Sequence, residues 1–121
     1  MRALIVDDSK SMRLILSRFL KSNGFEVSEA GHGQEALDRL NGGEQVDLML
    51  VDWNMPVMNG YELVRAVRAN AMLGSVRIMM VTTEASLDHV TDALVAGANE
   101  YVMKPFTDEV LKEKLALLGL E

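Results

Sequence analysis

Five times along 121 residues, a short apolar run gives way to a polar residue and then to a segment whose apolar side chains recur at helical spacing. That alternation is the strongest constraint on the fold. Ala3-Leu4-Ile5-Val6 closes on Asp7-Asp8, and so short an unbroken apolar run fits a strand covered on both sides. Ser9 then caps a helix over Lys10 to Asn23, with Met12, Ile15, Leu16, Phe19 and Leu20 as its apolar stripe and Gly24 just past its end. Phe25 to Ala30 alternates as a second strand, Gln34 to Leu40 is a short helix, and Gly42-Gly43 breaks it. Val46 to Val51 is a third strand ending at Asp52; Asn54, Pro56, Asn59 and Gly60 make a loop before a helix over Tyr61 to Ala71. Val76 to Val81 ends at Thr82 and precedes a helix whose apolar positions are Leu87, Val90, Leu94 and Ala98. Asn99 to Met103 ends at Lys104, and Thr107 caps a last helix carrying Leu111, Leu115 and Leu118.

Strand and helix in strict alternation predict an α/β fold: one doubly wound parallel sheet with helices on both faces, because each right-handed crossover packs back on the sheet. A single domain over residues 1–121 is expected, with no output domain. Apolar residues at 49% and charged residues at 25% match a soluble globular chain, and no apolar run nears the roughly 20 residues of a membrane span. The opening residues lead straight into a strand rather than a signal peptide, so a cytoplasmic protein without a membrane partner is expected. The absence of cysteine excludes disulfides, thiolate metal sites and thiol nucleophiles. A net charge of -6 with scattered basic residues argues against nucleic acid as a partner.

Sheets of this kind hold ligands beyond the carboxyl ends of their strands, where strand order reverses. The residues standing there are Asp7-Asp8, Asp52, Thr82 and Lys104. Three crowded carboxylates repel, and one is driven toward its protonated form unless a cation sits among them. Magnesium fits, since it takes oxygen ligands and is usually held by one or two carboxylates with a substrate phosphate. Asp52 can then act as a nucleophile on phosphorus, with Lys104 and the Thr82 hydroxyl meeting the phosphoryl oxygens. If Thr82 is drawn inward, Tyr101 can swing into the space behind it. Each residue alone has a plainer reading: Asp7-Asp8 as helix-entry acids, Asp52 as a turn residue, Thr82 as a strand-end hydroxyl, Lys104 as surface charge and Tyr101 as packing. Their coincidence at four strand ends favours the chemical one.

Val51-Asp52-Trp53-Asn54-Met55-Pro56, then Asn59-Gly60, together with Asp7-Asp8, Thr82 and Lys104-Pro105-Phe106, resembles the response-regulator receiver family over essentially the whole chain. Trp53-Asn54-Met55-Pro56, Glu84 and Tyr101 make it most similar to the stand-alone chemotaxis regulators of that family. The resemblance implies a flavodoxin-like sheet of order 2-1-3-4-5. It further implies phosphorylation of Asp52 by a histidine kinase or phosphotransfer protein, with magnesium held by Asp8, Asp52 and the Asn54 main-chain carbonyl and by Asp7 through water. Asn54 and Glu84 are implied to tune the phosphoryl lifetime, Pro105 to follow a cis bond, and the fourth helix, fifth strand and fifth helix to bind a target. One residue departs from the pattern: Thr83 stands where a small residue is usual, narrowing access to Asp52. Such a chain is a monomeric switch rather than a turnover enzyme; a role as phosphorelay intermediate or adaptor uses the same pocket.

A phosphohydrolase of the haloacid-dehalogenase type would need an acid where Asn54 stands, and a cap segment. A calcium hand would need a glycine at the sixth loop position, and Asp7-Asp8 would repel a flavin phosphate. Met49, Met79, Met80 and Met103 are expected in the core, His32 and His89 on the surface, and Ser11, Arg13 and Ser17 on the outward side of the first helix.

Overall fold

The computed structural model describes residues 1–120. The elements follow as β1 (Arg2–Val6), α1 (Lys10–Ser22), β2 (Glu26–Ala30), α2 (Gly33–Asn41), β3 (Leu48–Val51), α3 (Gly60–Ala69), a short 3-10 turn (Ala71–Leu73), β4 (Arg77–Thr82), α4 (Leu87–Ala96), β5 (Glu100–Met103) and α5 (Asp108–Leu117). All neighbouring strands pair in parallel, in the order β2-β1-β3-β4-β5, as expected. None of the described helices is long and apolar enough to cross a membrane.

Strand residues of alternate parity feed two cores, as the period-two pleat requires. Leu4, Val6, Met49, Val51, Ile78 and Met80 pack with Leu40, Leu63, Val64, Val67 and Ala93 from α2, α3 and α4. Ala3, Ile5, Leu48, Leu50, Met79, Val81 and Val102 pack with Leu16, Phe19, Leu20, Leu111 and Leu115 from α1 and α5. Every residue of β3 is buried, which explains its unbroken apolar run.

Several expectations are corrected. Four strands start later than expected, at Glu26, Leu48, Arg77 and Glu100. The third helix stops at Ala69, where Asn70 caps the following 3-10 turn. Ser17 is not outward but 5% exposed, on the sheet-facing side of α1 beside Leu16 and Leu20, whereas Ile15 faces solvent. Met103 is 39% exposed because β5 is an edge strand. The expected inner face of α4 is mostly outside: only Ala93 is fully buried, while Leu87 is 78% exposed and Leu94 also faces solvent. Ala98 is buried but lies beyond the helix end at Ala96.

Candidate functional site

The chain leaves β1 toward β2 on one side and β3 on the other, so a crevice opens between the ends of β1 and β3. Backbone hydrogen bonds extend the ladder by one residue and fix what emerges there. Asp7 N–H donates to the Ala30 carbonyl, Asp52 N–H to that of Val6, and Lys104 N–H to that of Thr82, at 3.1, 2.9 and 2.9 Å. The loop after Asp52 is anchored by a capping box, in which the Asn59 side chain accepts from Glu62 N–H and the Glu62 carboxylate accepts from Asn59 N–H. Gly60 follows because nothing larger fits: a Cβ there would stand 2.2 Å from the Asp52 carbonyl oxygen. Thus α3 begins directly against the main chain of Asp52.

Asp7, Asp8 and Asp52 each bring a carboxylate oxygen within 4.8 Å of the others'. Asp7, only 2% exposed, accepts at one oxygen from Ser9 N–H at 2.9 Å and at the other from the Lys104 ammonium at 2.9 Å. The same ammonium lies 3.6 Å from Asp52. Arg13 donates to the Asp7 carbonyl but pairs with Glu29, so among the described residues Lys104 is the cation that pairs with this carboxylate trio. Burial pushes the Asp52 carboxyl above its ordinary range; the Asp7 charge adds to this, while the Thr82 hydroxyl and Lys104 pull it down. Three carboxylates against one ammonium leave an excess of negative charge, which a hard divalent cation fits. Asp8, exposed, is the carboxylate most accessible to such an ion.

Thr82 is fully buried, and its oxygen accepts from Glu84 N–H at 3.2 Å, leaving the hydroxyl hydrogen for the Asp52 side. Glu84 is held by two further hydrogen bonds. Its carbonyl accepts from the Tyr101 hydroxyl at 2.6 Å, its carboxylate accepts from the Asn54 amide at 2.7 Å, and its second oxygen stands 3.8 Å from His89 Nδ1. Tyr101 is therefore already half-buried and turned toward the β4–α4 loop, where burial, with Glu84 and Asp52 nearby, raises its phenol above the usual value. Thr83 is exposed, and the Lys104–Pro105 bond is cis.

The model of the response regulator receiver domain matches residues 3–116. The chain belongs to the receiver family. The chemotaxis protein CheY1 of Helicobacter pylori is 45% identical over 119 residues, covering 98% of this chain and 96% of that protein. A chemotaxis CheY homolog of Campylobacter jejuni is 51% identical over 116 residues, with coverage of 95% and 89%. Among solved structures, the chemotaxis regulator CheY4 of Vibrio cholerae overlays this receiver domain with a TM-score of 0.88 at 38% identity, over 97% of both chains.

Reading the sequence missed several residues of this receiver site. Arg13, expected to be outward, is half-buried and braces the Asp7 carbonyl. His32 is not plain surface: half-buried, it caps α2 by accepting from Glu35 N–H. His89 is half-buried too, its ring edge-on to Trp53 at 4.7 Å between centroids. Arg13 stands one helical turn after Ser9, a signal that was available; the His89 contact joins segments far apart in sequence and left none.

Proposed function

We propose that this receiver domain is a phosphorylation-driven switch of a two-component system, and that it serves chemotaxis as the proteins it most resembles do. One observation carries the reading: three carboxylates from two strand ends converge within 4.8 Å, and a lysine from a third strand end reaches two of them. Asp7, Asp8 and Asp52, with the Asn54 main-chain carbonyl, would hold magnesium, which when bound offsets the charge of the phosphoryl oxygens.

An Asp52 oxygen attacks the phosphorus of a kinase phosphohistidine; the N–P bond breaks and its electron pair returns to the imidazole. Raising the Asp52 carboxyl by burial makes the carboxylate a less satisfied and better nucleophile once ionised. Lys104 then moves from Asp7 onto a phosphoryl oxygen, a short step because it already stands 3.6 Å from Asp52. The Thr82 hydroxyl donates to another phosphoryl oxygen, and its displacement pulls the Glu84 N–H it accepts, and with it the carbonyl that Tyr101 holds. The change reaches α4, β5 and α5, where Val95, Met103 and Val110 present apolar surface to a target protein.

With magnesium and acetyl phosphate, intact-mass measurement should show one acid-stable, base-labile phosphoryl adduct, absent from Asp52→Asn. Full uptake by that variant would refute the site. A pull-down with beryllofluoride-treated and untreated protein should capture a target preferentially in the treated arm.

A further inference from the structure

We propose, building on the reading of Asp52 as phosphoacceptor, that Met58 is a peroxide-sensitive modification site whose sulfoxidation loosens the loop after β3 and slows phosphorylation. Met58 is half-buried in that loop and packs against the core shared by α2, α3 and α4. Its carbonyl accepts from Gly33 N–H, the first residue of α2, at 3.1 Å. Its side chain fills the space that this glycine leaves: a Cβ on Gly33 would stand 2.7 Å from the Met58 carbonyl oxygen and 2.8 Å from its Cγ. Met58 therefore pegs the loop to α2. The residue before it gives the peg its importance. Val57 has a φ of 69°, in the left-handed region that β-branched side chains rarely enter, and Met58 N–H donates to the Pro56 carbonyl at 2.7 Å. Such a three-residue turn is strained. Val57 is 76% exposed, so its own packing does little to hold it there. Strained backbone persists where neighbouring contacts fix it, and here Met58 supplies them.

A thioether is flexible, apolar and open to oxidation. A sulfur lone pair of Met58 attacks one oxygen of hydrogen peroxide, the O–O bond breaks, and proton transfer releases water; sulfur is oxidised and peroxide reduced. The sulfoxide oxygen needs a hydrogen-bond donor, but the Gly33 N–H is already given to the Met58 carbonyl. The side chain leaves Gly33 for solvent, and the turn at Val57 relaxes. The same loop carries Asn54 and the Asn59 cap of α3, so its relaxation displaces groups beside Asp52. Met72 is 89% exposed but lines a crevice ahead of β3 and β4, at the opposite end of the sheet, and serves as the internal control.

The protein is treated with hydrogen peroxide, freed of it, and labelled with acetyl phosphate and magnesium. Peptide mass mapping locates the oxidised residues, intact mass follows adduct formation, and each rate is compared with that of the same variant before treatment. Loss of labelling should track sulfoxide at Met58 and reach about tenfold, less than the roughly hundredfold of a full ångström's misplacement at a reacting atom. The two methionine sulfoxide reductases, one for each epimer, should restore it. Met58→Leu keeps the volume without the sulfur and should label equally fast before and after peroxide. Met55→Leu and Met72→Leu should lose labelling as wild type does. A Met58 that stays reduced under peroxide, a Met58→Leu protein as sensitive as wild type, or protection by Met55→Leu or Met72→Leu would overturn the inference and leave the phosphoacceptor reading intact. Untreated wild type that takes no adduct would overturn both.

Discussion

Gly60→Ala should damage both stability and phosphorylation, because the first residue of α3 is seated on the peptide group of Asp52. An added Cβ would meet the Asp52 carbonyl oxygen at 2.2 Å, its carbon at 2.9 Å and Trp53 Cα at 3.0 Å. Ordinary contact begins near 3.4 Å, and all three atoms are backbone, so no side chain can rotate away. Either α3 or the end of β3 must shift by more than an ångström. The Gly60 N–H bond to the Trp53 carbonyl, 2.9 Å long, opposes the first movement, and the fully buried β3 opposes the second. Overpacking of this kind costs about 1–3 kcal/mol, and the backbone-only clash places Gly60→Ala near the upper end. With an unfolding entropy of about 2.1 cal/mol/K per residue, that corresponds to a fall in Tm of roughly 10 °C. A displacement of about 1 Å at the nucleophile is worth on the order of a hundredfold in rate, which acetyl-phosphate labelling would register as slowed adduct formation. Gly31→Ala is the control, since a Cβ there meets only side-chain ends at 3.8 and 3.9 Å. Urea unfolding of the two variants decides the matter: a Gly60→Ala protein as stable as Gly31→Ala, and labelled as fast as wild type, would refute the claim that this glycine seats α3 on the site.

Asp52→Asn in the presence of EDTA should be more stable than wild type at neutral pH. The folded Asp52 carboxyl is raised above 3.8, so its favourable contribution is complete below 3.8 and is lost as pH rises through the folded value; urea titrations should show the gap between the two proteins opening upward from acid and closed at pH 3.5. Magnesium should reverse the order by stabilising wild type by about 2.7 kcal/mol at a hundred times its Kd, and equal stabilisation of both proteins would contradict the ligand assignment. Lys104→Met should tighten magnesium binding about tenfold, because the ammonium no longer competes for Asp7; fluorescence of Trp53, beside Asp52, reads this, and weaker binding would count against it. Arg68→Met should cost about 2–4 kcal/mol in urea unfolding, because its guanidinium bonds the carbonyls of Gly97 and Val76 and the Asn99 side chain at 2.7–3.0 Å; a loss under about 0.5 kcal/mol would show these bonds to be idle.

The strands and the residues at their ends were legible because a central parallel strand has no choice of face. Leu48 to Val51 must be apolar throughout, and whatever follows must emerge at one edge of the sheet, so the position of Asp52 in sequence is also its position in space. The same holds for Asp7, Thr82 and Lys104. Helices are different, since an apolar arc wider than the buried stripe does not say which part turns inward. In α1 the stripe includes Ile15, which is exposed, and excludes Ser17, which is buried.

In α4 the ambiguity is complete, for Ala93-Leu94-Val95-Ala96 is apolar around a full turn, yet only Ala93 is fully buried and Ala96 packs partly against the core. Leucine spacing pointed to Leu87 and Leu94, yet a helix that seats an alanine lies close to its neighbours and leaves its larger side chains outside. A methyl group buries little area, so α4 gains less from apolar burial than a helix that seats leucines. Its first turn is tied by the Ser86 cap and by the His89 ring on Trp53. Its far end is tied too, where the Gly97 carbonyl accepts from Arg68 at 3.0 Å and Ala98 is buried, so between two fixed ends α4 turns Leu87, Leu94 and Val95 to the solvent.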